Sequence, residues 1–303
     1  MRRRNFFRLT GAGLLAVGMG PAVVAAAESD KFRFVHMTDL HVKPEDGAEQ
    51  GLIKAVEAVN RLDPAPDFVI TGGDLVADAL GAGFERADEL FKLYERCIAG
   101  CNCPVHHTIG NHDILGWYKE SGVTSDHPEF GKKIFAGRLG GGSTWNSFDH
   151  RGWHFILLDS IEFDQASSDY IAKISEEQLA WLESDLKALP AETPLVAVTH
   201  IPFTSVVEQV RSGANAPLNS RIGITNSKDV MALFEGRNLR MVLQGHLHRD
   251  EQIRLEGRQY CMSGAVCGGW WKGPNIGTEE GFGVIDVDGG RIGYSYYDYG
   301  WEV

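Results

Sequence analysis

Basic residues are scarce in this chain: 29 Lys and Arg stand against 41 Asp and Glu, for a net charge of −12 over 303 residues. The first 27 residues hold four of the arginines and no acid, so the remainder carries 25 basic against 41 acidic residues, a net charge of −16. A surface of that sign repels polyanions at long range, which argues against a nucleic-acid polymer or an anionic membrane surface as partner. After residue 27 there is no low-complexity tract, no repeat at a fixed period and no linker rich in Pro, Gly or Ser, so residues 28–303 read as a single domain. The longest apolar stretch, Leu9 to Val24, falls short of the roughly 20 residues a spanning helix needs. No stable membrane insertion of the mature chain is therefore expected. Cysteine is sparse and odd in number: Cys97, Cys101, Cys103, Cys261 and Cys267. Cys101-Asn102-Cys103 has no second pair at zinc-ribbon spacing, which leaves one or two disulfides or plain buried thiols.

The N-terminus is built differently from the rest. Arg2, Arg3, Arg4 and Arg8 precede the Gly/Ala/Leu/Val stretch, and Ala25-Ala26-Ala27 supplies a small-residue cleavage site before Glu28. Residues 1–27 thus read as a signal peptide. Arg3-Arg4-Asn5-Phe6-Phe7-Arg8 resembles the twin-arginine export motif. The resemblance implies the twin-arginine export machinery as a partner during secretion, with the periplasm or cell exterior as destination.

From residue 32 strand-like and helix-like segments alternate, which predicts an α/β fold. Phe32–Met37, Phe68–Ile70, Val105–Ile109, Trp153–Leu158, Leu195–Val198 and Met241–Leu243 read as strands. Leu52, Val56 and Val59 predict one helix, Phe84 to Tyr94 a second, and Leu179 to Leu189 a third that Pro190 ends. Residues 250–303 are strand-rich, with Gly-bearing turns, and Ile114 to Thr144 has no clear period, so it reads as a functional loop.

Five strand ends carry metal-capable side chains: Asp39 and His41, Asp74, Asn111 with His112, His200, and His246 with His248. Ligands in open α/β sheets bind at the carboxyl ends of strands, so these ends are expected to converge. Imidazole and carboxylate suit first-row transition metals, Mn, Fe or Zn among them. Asp39, His41, Asp74, Asn111, His200, His246 and His248 are enough donors for two adjacent ions, the arrangement that clamps attacking and leaving oxygens in phosphoryl transfer. Singly, each motif is as readily a surface turn. It is their order, each after an apolar strand, that carries weight.

The ordered set Asp39-Leu40-His41, Gly73-Asp74, Gly110-Asn111-His112-Asp113, His200 and Gly245-His246-Leu247-His248 resembles the signature of calcineurin-like metallophosphoesterases. The resemblance spans residues 39–248 and implies a two-sheet β-sandwich flanked by helices, with a dinuclear centre at the strand ends. It assigns one metal to Asp39, His41, Asp74 and His248 and the other to Asp74, Asn111, His200 and His246, with Asp74 bridging. It gives His112 the leaving-group oxygen, and the attack to a metal-activated water. The Gly-Asp-x-x-Asp-Arg-Gly of protein Ser/Thr phosphatases is absent, and Ala77 stands where purple acid phosphatases carry a metal-binding Tyr. The sequence is nearest the bacterial class III cyclic-nucleotide phosphodiesterase-like branch, which Ser147-Phe148-Asp149 and His154 to Ser160 also resemble.

Trp117, Tyr118, Trp270 and Trp271 read either as packing against a sheet or as cleft walls that stack on a base or sugar of a small phosphorylated substrate. His36, His106, His107, His127, His150 and His154 fit no ligand spacing, and His106 and His107 are expected on opposite faces of their strand. Three functions compete: a phosphodiesterase, a phosphomonoesterase acting on extracytoplasmic nucleotides or sugar phosphates, and a metal-binding envelope protein without turnover.

Overall fold

Apolar residues in the first half alternate or cluster at helical spacing, and the computed structural model, which describes residues 31–303, shows what they pack against. In chain order the elements are β1 (Lys31–Met37), α1 (Ala48–Asn60), β2 (Phe68–Gly72), α2 (Phe84–Ile98) and β3 (Val105–Thr108). Then come α3 (Lys133–Arg138), β4 (Asn146–His150), β5 (Trp153–Leu158), β6 (Ile161–Asp164), β7 (Asp169–Ala172) and α4 (Glu176–Ala188). The rest is β8 (Pro194–Thr199), α5 (Val207–Ser212), α6 (Ser227–Leu233), β9 (Asn238–Gln244), β10 (Glu251–Leu255), β11 (Arg258–Met262), β12 (Gly281–Asp288) and β13 (Arg291–Asp298). The expected signal peptide, residues 1–27, lies outside the described residues.

Two sheets face each other. The first has the order β13-β12-β1-β2-β3, with β1, β2 and β3 parallel and β12 and β13 antiparallel. The second has the order β10-β11-β9-β8-β5-β4, parallel across β11, β9, β8 and β5 with an antiparallel strand at each edge. Between them lies an apolar layer of Phe32, Phe34, Phe68 and Ile70 from the first sheet and Phe155, Leu157, Val196, Val198, Met241 and Leu243 from the second. Phe34 stacks on Phe68 at 5.1 Å and meets Phe155 edge-on at 5.3 Å, so truncating Phe34 to Ala costs about 3–5 kcal/mol.

The outer faces are covered by helices. Leu52, Val56 and Val59 of α1 and Leu90, Phe91 and Tyr94 of α2 seal the first sheet, each set falling on one helical stripe. Leu182 and Leu186 of α4 with Val230 of α6 seal the second. Ser175 caps α4 by accepting from the Gln178 N–H at 3.2 Å. The result is the expected two-sheet sandwich flanked by helices. The periodicity passed over α3, α5 and α6, each at most seven residues, and the four-residue strands β6 and β7. Such elements are too short to show a period. No helix among the described residues is long and apolar enough to cross a membrane. All five cysteines are free thiols.

Candidate metal centre

The parallel strands β1, β2, β3, β8 and β9 all end on one side, and the backbone beyond them is tied together. Asp39 N–H donates to the Gly73 carbonyl at 3.0 Å and His41 N–H to that of Asp74 at 2.9 Å. The buried Asp113 carboxylate accepts from the Leu75, Val76 and Gly110 N–H groups at 2.8, 3.2 and 2.8 Å. Burial, with the charge of Asp74 adding, pushes Asp113 up to about 7. Gly110 is needed for closeness: a Cβ there would meet Asp74 N at 2.0 Å. Asp39, His41, Asp74, His246 and His248 all have positive φ, between 42° and 74°. Left-handed backbone at five non-glycine residues around one point is strain concentrated at a functional site.

All seven donors named from the sequence meet there. Asp74 Oδ2 stands between two groups. On one side His41 Nε2 is 3.6 Å from it and 3.2 Å from His248 Nε2, which is 3.4 Å from Asp39 Oδ1. On the other, His200 Nε2 lies 3.1 Å from Asp74 Oδ2, 3.2 Å from Asn111 Oδ1 and 3.3 Å from His246 Nδ1. Hydrogen bonds behind the rings fix two tautomers: His200 Nδ1–H donates to the Gly72 carbonyl at 2.8 Å, and His248 Nδ1–H to that of Gly268 at 2.7 Å. In the neutral rings Nε2 then bears a lone pair aimed at carboxylate, amide oxygen and a second imidazole. Acceptors facing acceptors call for a cation. Without an ion a proton takes that place on His200: burial works against an imidazolium, but Asp74 outweighs it and raises the group to about 9. His246 is driven down to about 3 by burial and by His200. The donor set fits two transition-metal ions sharing Asp74.

His112 sits beside this cluster, its N–H donating to Asp74 Oδ1 at 2.8 Å and its Nδ1 3.5 Å from Asp78 Oδ1. A cleft of about 380 Å³ opens above, with Asp78, Tyr118, Tyr170, Arg221, Trp270 and Asn275 on its walls. Trp270, 39% exposed, lies over His41 with ring centres 3.9 Å apart. Of the four aromatic residues left open between packing and cleft wall, Trp271 and Trp117 take the packing role. Trp271 is 1% exposed, donates its indole N–H to the His41 carbonyl at 3.1 Å and packs on Gly51 of α1. Trp270 and Trp271 both have left-handed φ, 63° and 66°, and their rings end in opposite places, one in the cleft and one under α1. Trp117 packs against Phe163 and Lys132, off the cleft wall that Tyr118 joins. Of the remaining histidines His36 is buried behind the cluster, bonded to Ser263 and within reach of the charges of Asp39 and His200, while His106 is stacked on Phe148 and His107 bonded to Tyr94 on the opposite face of β3.

Asp78, Tyr170, Arg221, Asn275 and Cys267 were not anticipated. Asp78 follows Asp74 by one helical turn's spacing, a signal present in the sequence. Tyr170 comes from the short β6–β7 hairpin and Arg221 from the loop between α5 and α6, where no pattern marks them. Cys267 Sγ lies 3.9 Å from His248 Nδ1, behind that ring, and nothing in its local sequence points there.

A family model described as calcineurin-like phosphoesterase matches residues 32–250. The chain belongs to this family. It is accordingly a metal-dependent phosphoric ester hydrolase. Among curated proteins, a 3′,5′-cyclic-nucleotide phosphodiesterase of Nostoc sp. is 26% identical over 239 residues, 76% of this chain and 77% of that protein. A serine/threonine-protein phosphatase, CPPED1 of Danio rerio, is 24% identical over 251 residues, 80% and 72% of the two chains. Among solved structures, a dimetal phosphatase from Danio rerio superposes with a TM-score of 0.63 at 15% identity, covering 88% of this chain and 96% of its own. That likeness shows the shared fold.

Proposed function

We propose that this calcineurin-like phosphoesterase hydrolyses small phosphodiesters, cyclic nucleotides among them, and does so outside the cytoplasm. The reading rests on one observation above the rest: the cleft over the metal centre is small and holds little positive charge of its own. Arg221 is the one lysine or arginine among its described lining residues, and Asp169 already binds it at 3.1 Å. Asp78 adds a negative charge beside His112. A diester carries one negative charge and suits such a cleft better than a dianionic monoester. Trp270 offers an aromatic face for a base or sugar. The similarity to a protein named as a cyclic-nucleotide phosphodiesterase supports the same class.

In this reading Asp39, His41, Asp74 and His248 hold one ion and Asp74, Asn111, His200 and His246 the other, drawn from Mn, Fe or Zn. Bound there, the ions supply Lewis acidity toward the phosphoryl oxygens and lower the pKa of the attacking water. His112 is the proton donor to the leaving oxygen. Burial disfavours its charged form, but Asp74 and Asp78 outweigh that and raise its pKa, so it carries the proton that an alkoxide needs. Asp78 faces the ring's Nδ1 side at 3.5 Å, which leaves Nε2 to act.

The similarity to a serine/threonine-protein phosphatase keeps a phosphomonoesterase as the second reading. The deciding test is Mn²⁺-dependent hydrolysis of bis-p-nitrophenyl phosphate beside p-nitrophenyl phosphate. Faster diester turnover, lost in Asp74→Asn and reduced in His112→Ala, supports the proposal. A monoester preference overturns it. No turnover with metals bound moves the reading to a metal-binding envelope protein. Export rests on the basic start and the Arg3-Arg4 pair. If it holds, replacing both with Lys keeps the full-length precursor in the cytoplasm, and unchanged secretion refutes the twin-arginine route.

A further inference from the structure

We infer that the end of the sandwich opposite the metal centre holds a binding site for a small anion with two or more phosphate groups. Arg240, Arg254, Arg258 and Arg291 line one depression of about 350 Å³, together with Gln259 and Ile292. Its place follows from topology. Arg240 is near the start of β9 and Arg258 at the start of β11, whose far ends run toward the catalytic side; Arg291 opens β13.

Four guanidiniums in one depression are unexpected in a chain of net charge −12. Their carboxylate partners are few. Arg258 has Glu256 at 3.8 Å and Arg291 has Asp288 at 3.9 Å, both long contacts with well-exposed acids. Among the described residues neither Arg240 nor Arg254 has an ion-pair partner, and Arg254 meets only Gln259 at 3.4 Å. Gln259 in turn donates to the Ile292 carbonyl at 3.0 Å, which bridges the two sheets across the floor.

Protection of sheet edges against aggregation accounts for some of this charge, since Arg254 and Arg291 lie on the edge strands β10 and β13. It does not account for Arg240 or Arg258, which lie on interior strands. Gln259 pairs with Met241, so Arg258 and Arg240 are neighbours across adjacent strands. Like charges so placed destabilise a sheet. Moreover, Arg240 is the extra residue of a β-bulge: Leu195 pairs with Leu239 and Val196 with Met241, leaving Arg240 between. Bulges re-aim side chains. Here the bulge delivers a third strand's arginine to a place where it meets its own kind. Guanidinium forks match phosphate oxygens two at a time, and an anion with several such oxygens removes the repulsion the bare fold carries.

The test is thermal unfolding of the metal-loaded protein titrated with sodium tripolyphosphate at fixed free Mn²⁺, for wild type, Arg258→Gln, Arg254→Gln and Arg240→Gln/Arg258→Gln. A bound anion at about 100 times its Kd raises the wild-type midpoint by roughly 5 °C. In the double variant that shift is lost, while the ligand-free midpoint stays equal or rises because repulsion is relieved. Any stabilisation through the metal centre persists in all variants and is thereby subtracted. Adenosine diphosphate run in parallel separates the two sources of this chemistry: an equal or larger shift assigns the site to a nucleotide, a smaller one to a polyphosphate chain. The proposal fails if sodium sulfate at equal ionic strength gives the same shift, if the double variant keeps it, or if the substitutions only lower the ligand-free midpoint.

Discussion

The apolar packing on the two faces of the sheets and the rim above it follow opposite rules, although at the end of β1 they are two residues apart. Met37 is buried in regular strand among apolar neighbours. Asp39 is equally buried, but it is a carboxylate on left-handed backbone, facing histidines and a second carboxylate. A step of two residues separates Gly72 from Asp74, and one of three separates Leu243 from His246. Residues in the apolar packing stabilise the fold by themselves. Those on the rim stabilise it only when something cationic joins them. The strands place the rim, and the rim spends stability on binding.

Asp74→Asn breaks this division most sharply. It keeps the shape, tolerates the φ of 53° and can still accept from the His112 N–H, but it removes the shared charge. Activity should fall by far more than the ~100-fold that loss of an outer-shell partner costs. The midpoint of the metal-free protein should fall only modestly, since losing the attraction to His200 is offset in part by relief of the repulsion from Asp39. Stabilisation by Mn²⁺, about 2.7 kcal/mol at 100 times Kd for the wild type, should shrink. A large loss of metal-free stability would mean that Asp74 belongs with the core.

His112→Ala is next. General acid catalysis is worth roughly 10²–10⁴-fold, and most of it is needed when the leaving group is a poor one. Hydrolysis of a ribose or alkyl diester should therefore suffer much more than release of p-nitrophenolate. Equal losses on both would point to a positioning role of its ring, which meets His41 and Trp270 edge-on.

How much of this was legible beforehand follows the same line. The apolar packing shows in the sequence because burial imposes a period: Leu52, Val56 and Val59, or the run from Trp153 to Leu158, can be read from spacing. The metal donors show because each follows such a run in a fixed order. Arg221 and Tyr170 did not show, since the loop between α5 and α6 and a hairpin of four-residue strands carry no period. The two tryptophans could not be told apart, because successive left-handed residues send neighbours to opposite sides and composition cannot foresee that. Trp271→Ala should consequently behave as a core truncation, costing about 3–5 kcal/mol with the catalytic constants little changed once folded. Trp270→Ala should leave stability nearly intact and raise KM for aromatic diesters. Reversed outcomes would exchange the two assignments.

The smallest expected effect tests the border between packing and rim by pH. His107 lies on β3, below the rim, where Tyr94 donates to its Nδ1 at 2.9 Å and Thr71 Oγ1 is 3.2 Å away. Burial, with a lesser push from His106, lowers its pKa to about 4. The unfolded chain, titrating near 6.5, takes up this proton first. Stability is therefore at its full value above about pH 6.5, declines as pH falls toward 4, and loses on the order of 3 kcal/mol from this residue across that window. His107→Gln can still accept from Tyr94 and has nothing to titrate, so its denaturant-derived stability should fall less between pH 7 and 4.5 than the wild type's. Among the rim histidines His200 responds in the other direction: its raised pKa means that its contribution in the metal-free protein is present at low pH and fades as pH rises toward 9. If His107→Gln retained the whole acid loss, the titrating groups would lie in the rim, and the packing beneath it would be indifferent to pH.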